Sequence, residues 1–302
     1  MKLLLAIVGP TAIGKTTLAI ALAKYFGTEI ISADSRQFYK EMKIGTAVPS
    51  KDELADVPHH FIQHKSILEP YTVGDFEHEA MAKLDELFRI KNIAVMVGGS
   101  GLYIDAITKG LDNFPKVSPK IRSKLNDTYK KNGIKALQEQ LKILDPTYYS
   151  KVDRANPHRL IRALEICLGT GSPYSTFLNQ KRVERPFETF TIGISADRPI
   201  IYDRINERVD VMIATGLIQE AERLYKYRSL NALQTVGYTE LFKYLDGEWS
   251  LEFAISEIKK NTRRFAKRQL TWFRKGENTL WVDYQDDISG AISVIEKKLE
   301  SA

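Results

Sequence analysis

Hydrophobic positions along the chain follow two rhythms. The first is a series of short, almost unbroken apolar runs: LLLAIV (3–8), TEIISA (28–33), NIAVMV (92–97), FETFTIGIS (187–195) and LWVDY (280–284). Continuous rather than alternating apolar character predicts strands buried on both faces. The second rhythm, apolar residues three and four apart, occupies 15–25 and 74–90 and predicts amphipathic helices. Strand and helix alternate. The expected fold class is therefore α/β, a parallel sheet flanked by helices. In such sheets ligands bind at the carboxyl ends of the strands. The loops 9–16, 34–37 and 98–101 all follow predicted strand ends, so they can converge.

The pattern changes after residue 112. DNFPKVSPKIR reads as a proline-punctuated linker, and 118–185 reads as polar helix. Ser118–Pro119 and Asn156–Pro157 each place a cap residue before a proline at the first helical position. Strand character returns only at 187. The predicted organisation is a core of 1–114 and 186–302 interrupted by a helical insertion, 115–185. Near the end of the core, 255–275 reads as an amphipathic helix. Ile255, Ile258, Thr262, Phe265, Gln269 and Trp272 step by three and four and predict one buried stripe, and core packing is likewise expected of Phe273.

Composition changes this picture little. The chain has 302 residues, 43% of them hydrophobic, which suits one large domain or a core with an insertion. No segment is long and apolar enough to span a membrane. LLLAIV is short and leads into a glycine loop rather than a cleavage site, so it reads as the first strand, not a leader. A single cysteine, Cys167, excludes an internal disulfide and a multi-cysteine zinc site, and a reducing cytoplasm is the expected location.

Charge matters more through its distribution. A net charge of +6 does not by itself imply nucleic acid. Between Lys259 and Lys275, however, there are eight Lys or Arg residues and no acid. Lys260, Arg264 and Arg268 step by four along one face of the predicted helix. Such a stripe is ordinarily a solvated surface; without acids it favours contact with phosphates.

The sharpest chemical signal is Gly9-Pro10-Thr11-Ala12-Ile13-Gly14-Lys15-Thr16. It fits G-x-x-x-x-G-K-[ST], between a predicted strand and a predicted helix. Backbone N–H groups and the helix N-terminus bind phosphate oxygens there, Lys15 adds a charge, and Thr16 can ligate Mg²⁺. Such loops usually hold ATP or GTP. An ATPase normally adds an acid at the end of a neighbouring buried strand. Here NIAVMV ends in Gly98-Gly99-Ser100, and the nearest strand-end carboxylate is Asp34. The loop thus predicts a phosphorylated ligand without naming it.

Seven stretches, in order across nearly the whole chain, resemble the tRNA dimethylallyltransferases: GPTAIGKT (9–16), ISADSRQFYKEMKIGTAVPS (31–50), PHHFI (58–62), VGGSGLYIDAI (97–107), NPHRLIRALEI (156–166), QTVGY (234–238) and AKRQLTWFRK (266–275). The resemblance implies a P-loop NTPase-like core and transfer of a dimethylallyl group from its diphosphate to N6 of the adenosine beside the anticodon, position 37. It implies that the loop 9–16 holds the diphosphate with Mg²⁺ at Thr16, and that Arg208 helps neutralise the leaving group. On residues alone Arg208 is equally an exposed helix cation. Asp34 is implied as general base; on residues alone ADS also favours an Asx-turn. Ser100 stands where a threonine is common in the family and is expected to keep its hydrogen bond.

The same resemblance implies tRNA contacts at Asp34, Ser35, Arg36, Gln37 and Ser100, at Arg122, and at His158, Arg159, Leu160, Ile161 and Arg162. It extends them to Arg263, Arg264, Lys267 and Arg268. His158 replaces a glutamine common in the family. The expected partners are a tRNA anticodon stem-loop and dimethylallyl diphosphate, with no membrane, and the expected state is a monomer. The target base must flip out of its stack to reach a buried centre, and is expected to meet the prenyl carbon through a channel.

Three rivals share part of this signal. A P-loop small-molecule kinase has the loop and the acid but leaves GGSGLY and the basic helix unexplained. An enzyme prenylating free AMP or ADP has the same core chemistry without needing an RNA surface. A nucleotide-gated RNA-binding protein predicts a second ATPase carboxylate, which the sequence does not offer.

Overall fold

The computed structural model describes residues 1–178, 184–276 and 278–300. Contacts divide the chain into two units. One comprises 1–108 and 185–302, the other 109–184.

The first unit is built on six parallel strands: β1 (Leu3–Val8), β2 (Ile30–Ser32), β3 (His59–His60), β4 (Ile93–Val97), β5 (Glu188–Ser195) and β6 (Thr279–Asp283), in the order β3-β2-β4-β1-β5-β6. β1 lies between β4 and β5, with Ile7 opposite Val97 and Ile192. Every β1 residue is fully buried, which is what an unbroken apolar run requires. Alternate β1 residues serve opposite faces. Leu3, Leu5 and Ile7 pack into one cluster with Ala19, Leu22 and Ile205. Leu4, Ala6 and Val8 pack into the other with Phe38, Phe76 and Leu84.

The helices of the chain are α1 (Lys15–Phe26), α2 (Lys51–Asp56), α3 (Val73–Ile90), α4 (Gly101–Lys109), α5 (Pro119–Leu144), α6 (Pro146–Tyr149), α7 (Pro157–Thr170), α8 (Arg198–Ala214), α9 (Leu217–Leu224), α10 (Tyr238–Leu245), α11 (Leu251–Phe273) and α12 (Ile288–Glu300). Local chemistry sets their ends. Thr72 and Asp75 form a reciprocal capping box on α3, and Asn156 accepts from the Arg159 N–H at the start of α7. Ser118, predicted as the cap of α5, makes no side-chain cap bond, although Pro119 does open that helix. A third apolar cluster joins α9, α10 and α11 through Leu217, Leu241 and Ile258.

The second unit contains α5, α6 and α7. α5 is interrupted at Gly133, whose φ of 72° breaks the helical path. Its core is Leu125, Leu137, Leu141, Leu160, Leu164 and neighbours. Within the stretch expected to be helical, 179–183 lie outside the described residues.

The stripe predicted on α11 differs from the observed one. Ile258 and Gln269 are buried as expected, joined by Ala254, Ala266 and Phe273, but Phe265 is 38% exposed and Trp272 40% exposed. Both line a cavity instead of the core. A stripe facing a cavity has the same spacing as one facing a core, so periodicity does not separate the two.

Candidate functional site

The glycine loop turns directly from β1 into α1. At Gly9 a Cβ would lie 2.6 Å from the Ile194 carbonyl oxygen on β5, so only glycine lets the two backbones pass. Ala12 takes a left-handed φ of 66°, unusual for a residue with a Cβ, and the Arg204 guanidinium donates to its carbonyl at 2.8 Å. Lys15 opens α1 and its Nζ donates back to the Pro10 carbonyl at 2.6 Å.

Lys15, Arg204 and Arg208 gather at this loop, with Asp34 and Glu53 as the acids on the same cavity wall. Arg204 and Arg208 stand four apart on α8, and Arg208 reaches the Thr11 hydroxyl at 3.4 Å. Like charges at that spacing repel each other. The Lys15 ammonium is pushed down to about 7 by burial first, then by Arg208, with Asp34 partly offsetting them. The Arg208 guanidinium is lowered by burial and by Arg204. A half-buried cluster of this kind is poised for a multivalent anion, which would reverse each penalty.

Two cavities meet beside it. One of ≈ 620 Å³ is lined by the loop from Thr11 to Thr17 together with Arg204 and Arg208. The other, of ≈ 420 Å³, is lined by Ser35, Ser100, Val236, Phe265, Arg268 and Trp272, among others. Asp34, Arg208, Gly99, Met212 and Phe265 belong to both walls. The two spaces are therefore adjacent, with a carboxylate and a guanidinium at the junction.

Asp34 follows β2. Its Oδ1 accepts from the Arg36 N–H at 2.9 Å, forming the Asx-turn that its sequence context favours. Among the described residues Oδ2 has no hydrogen-bond partner. The turn and a reactive role are thus compatible, since they use different oxygens. Ser100 accepts from the Ser35 N–H and donates to the Ser35 hydroxyl, both at 3.0 Å, tying the loop after β4 to the loop after β2.

The next two expected contacts are committed within the fold. The Arg36 guanidinium donates to the carbonyls of Asn231 and Ala232. The Gln37 amide donates to those of Thr46 and Ala47. Both shape the cavity walls; the Gln37 amide spends both of its N–H groups this way, whereas the Arg36 bonds use Nη1 alone.

Gln269 on α11 joins two of the loops. Buried at 6% exposure, it accepts from the Thr11 N–H and donates to the Gly99 carbonyl, both at 2.9 Å. Nearby, Arg264, Lys267 and Arg268 are exposed, and among the described residues no ion pair holds them. Arg263 is half-buried, bonded to Asn206 at 2.7 Å, while Lys259 and Lys260 are paired with Asp210 and Glu257. Of the eight basic residues between Lys259 and Lys275, three on α11, Arg264, Lys267 and Arg268, are thus exposed and free of ion pairs among the described residues, and Arg274 and Lys275 lie exposed just past the end of the helix.

The second unit presents its own basic face. Arg122 and Arg162 both bind the buried Glu165, at 2.9 and 3.0 Å, and Arg162 also lies over the Phe114 ring. His158 and Arg159 are exposed, whereas Leu160 and Ile161 are buried in the unit's core. The basic or imidazole side chains this helix offers outward are therefore His158, Arg159 and Arg162.

A magnesium ion fits only as a companion of bound phosphate. Among the described residues no group of three His, Cys, Asp or Glu is placed to hold a metal. Thr16 supplies one hydroxyl in the first turn of α1. Mg²⁺ is commonly held by one or two protein oxygens plus phosphates and water, so this donor set suits it.

Sequence reasoning passed over four buried acids: Asp145, Glu165, Glu220 and Glu240. Glu240 accepts from the Gly237 N–H at 2.8 Å and from Asn261, fixing the turn 235–237 that lines the smaller cavity. The one available signal was position: Glu240 and Glu165 lie within or just beyond the stretches QTVGY and NPHRLIRALEI.

The sequence profile of the IPP transferase family matches residues 37–276. A tRNA dimethylallyltransferase of Christiangramia forsetii is 62% identical, covering 99% of this chain and 99% of the relative. One of Flavobacterium psychrophilum is 59% identical over 99% and 100%. Among solved structures, the full-length tRNA isopentenylpyrophosphate transferase of Bacillus halodurans superimposes with a TM-score of 0.72 at 38% identity, covering 100% of this chain and 96% of the other. A eukaryotic dimethylallyltransferase acting on tRNA superimposes with a TM-score of 0.80 at 28% identity, covering 95% and 75%.

Proposed function

The chain belongs to the IPP transferase family, and from that premise we propose how its site transfers a dimethylallyl group to tRNA. The acceptor is N6 of the adenosine 3′ to the anticodon, position 37, and the donor is dimethylallyl diphosphate. The observation that carries this reading is the meeting of two cavities at Asp34 and Arg208. The cation-lined space takes the diphosphate and the other takes a flipped adenine.

The backbone N–H groups of the loop, Lys15 and Arg208 hold the diphosphate and stabilise the charge it gains on leaving. Mg²⁺, held at Thr16, would neutralise part of that charge. As the bond from carbon to diphosphate oxygen breaks and the bond to N6 forms, the N6 proton passes to Asp34 Oδ2. The same carboxylate selects adenine, because it accepts from an exocyclic amine. Ser100 keeps Ser35 and the Asp34 loop in place. Met212 and Phe265 at the junction exclude water from the electrophilic carbon.

Arg264, Lys267 and Arg268 on one unit, and His158, Arg159, Arg162 and Arg122 on the other, supply the surfaces for the anticodon stem-loop. The active species in this reading is a monomer. The reaction belongs in the cytoplasm, where tRNA is processed. Among the described residues no helix is long and apolar enough to cross a membrane.

The test is incubation with radiolabelled dimethylallyl diphosphate, Mg²⁺ and unmodified tRNA bearing that adenosine. Parallel reactions hold AMP, and a tRNA with guanosine at the position. Label is expected in the adenosine tRNA alone, and Asp34→Ala should lower the rate by about 10²–10⁴. Label in AMP instead of tRNA, or phosphate transfer from ATP, overturns the proposal.

A further inference from the structure

The segment 43–49 runs along both cavities. Lys43, Ile44, Val48 and Pro49 face the diphosphate space, Gly45 faces the other, and Thr46 and Ala47 face both. Its backbone is not an easy one to hold: Ala47 has a left-handed φ of 50°.

What fixes it is a carboxylate on another element. Glu220, on α9, is 2% exposed. It accepts from three consecutive backbone N–H groups, those of Lys43 at 3.1 Å, Ile44 at 3.0 Å and Gly45 at 2.9 Å. It also accepts from the Tyr238 hydroxyl at 2.7 Å. Burial beside this carboxylate pushes the Tyr238 hydroxyl up, so it remains a donor. The Tyr238 ring closes on the segment from its other side, where a Cβ on Gly45 would lie 2.6 Å away. Tyr238 directly follows the turn Thr235–Gly237, which lines the smaller cavity. One anion therefore ties the segment 43–45 to that turn. Three oriented N–H groups plus a hydroxyl satisfy it without a cation.

We infer that Glu220 is a positioning residue for the transfer reaction, holding the strap 43–47 so that both substrates meet the junction in register. The segment reaches onward to the Asp34 loop, because the Gln37 amide donates to the carbonyls of Thr46 and Ala47 at 3.2 and 2.9 Å. Release of the strap would disturb the wall shared by the two cavities while leaving Lys15 and Arg208 in place. The effect belongs on turnover more than on diphosphate binding.

Glu220→Gln tests this. The amide turns one acceptor oxygen into a donor facing backbone N–H groups. Expected is a fall in kcat of about 100-fold, as for a reacting geometry displaced by about 1 Å, with KM for dimethylallyl diphosphate changed by no more than about threefold. Amide hydrogen exchange at 43–45 should quicken in the same variant while that of β1 and β4 stays slow. Tyr238→Phe keeps the three backbone bonds and should retain most of the turnover. The inference rests on the transfer reading for its kinetic assay only. Unchanged turnover and exchange in Glu220→Gln, or a loss matching the unfolded fraction, overturns it. An inactive parent protein would sink the transfer reading instead, and exchange at 43–45 would still decide what Glu220 holds.

Discussion

Two groups of basic side chains in the same unit carry the same charge under different conditions. Lys15 and Arg208 are half-buried beside the glycine loop, near one another, and both are pushed toward losing their proton. Arg264, Lys267 and Arg268 lie exposed along α11. The first group is costly to keep empty and suited to one compact, highly charged ligand. The second costs little and suits an extended polyanion whose charges are spaced and solvated. In the proposed reaction, position in the fold rather than net charge separates the cations assigned to the diphosphate from those assigned to the nucleic acid.

The sharpest way to break this contrast is to remove the buried cations. Lys15→Ala or Arg208→Ala should lower kcat/KM for the diphosphate by about 10²–10³, and the deficit should persist as salt is raised. Steady-state kinetics at two ionic strengths would show it; a deficit that salt erases would place these residues with the surface group.

Proton linkage gives the next largest effect. Burial and Arg208 push the Lys15 ammonium down to about 7 in the free protein, and a bound diphosphate would raise it. Binding above pH 7 then requires proton uptake, so affinity should fall by up to about tenfold per pH unit there and stay level below it. Calorimetry in two buffers of different ionisation enthalpy at pH 8 would report the proton. For the empty protein the sign is opposite. The folded value lies below the ordinary 10.5, so the penalty on folding is complete below pH 7 and relieved as pH rises toward 10.5.

Replacing Arg264, Lys267 and Arg268 together by alanine should weaken tRNA by roughly tenfold and lower the slope of log affinity against log salt by about 2–3. Inorganic diphosphate binding should not change. The smallest effect is expected at Glu165→Gln. Arg122 and Arg162 are partly exposed and can rehydrate, so the second unit should lose only about 1 kcal/mol, measurable by thermal melting.

The sheet and the glycine loop were legible because each is written locally. A buried parallel strand has to be continuously apolar, and a phosphate cradle has to be glycine-rich between strand and helix. β3, with two residues, gives no such run and went unread. The buried acids went unread for another reason. Glu220 sits in an ordinary helical sequence, and its partners are backbone groups some 175 residues away. No pattern around position 220 encodes that meeting. Trp272 shows the same limit: its indole donates to Asp105 at 3.0 Å and covers Gly101, at the rim of a cavity that spacing alone counted as core.

The place of β1 in the sheet has a consequence for synthesis. Its two neighbours are β4, beginning at Ile93, and β5, beginning at Glu188. A ribosome adding about 5–20 residues per second needs roughly 10–40 s from the first strand to the second of these partners. Throughout that interval LLLAIV has at least one edge unpaired, and it is the most apolar run in the chain. The strand that anchors the finished sheet is thus an aggregation hazard of the nascent chain until β5 emerges.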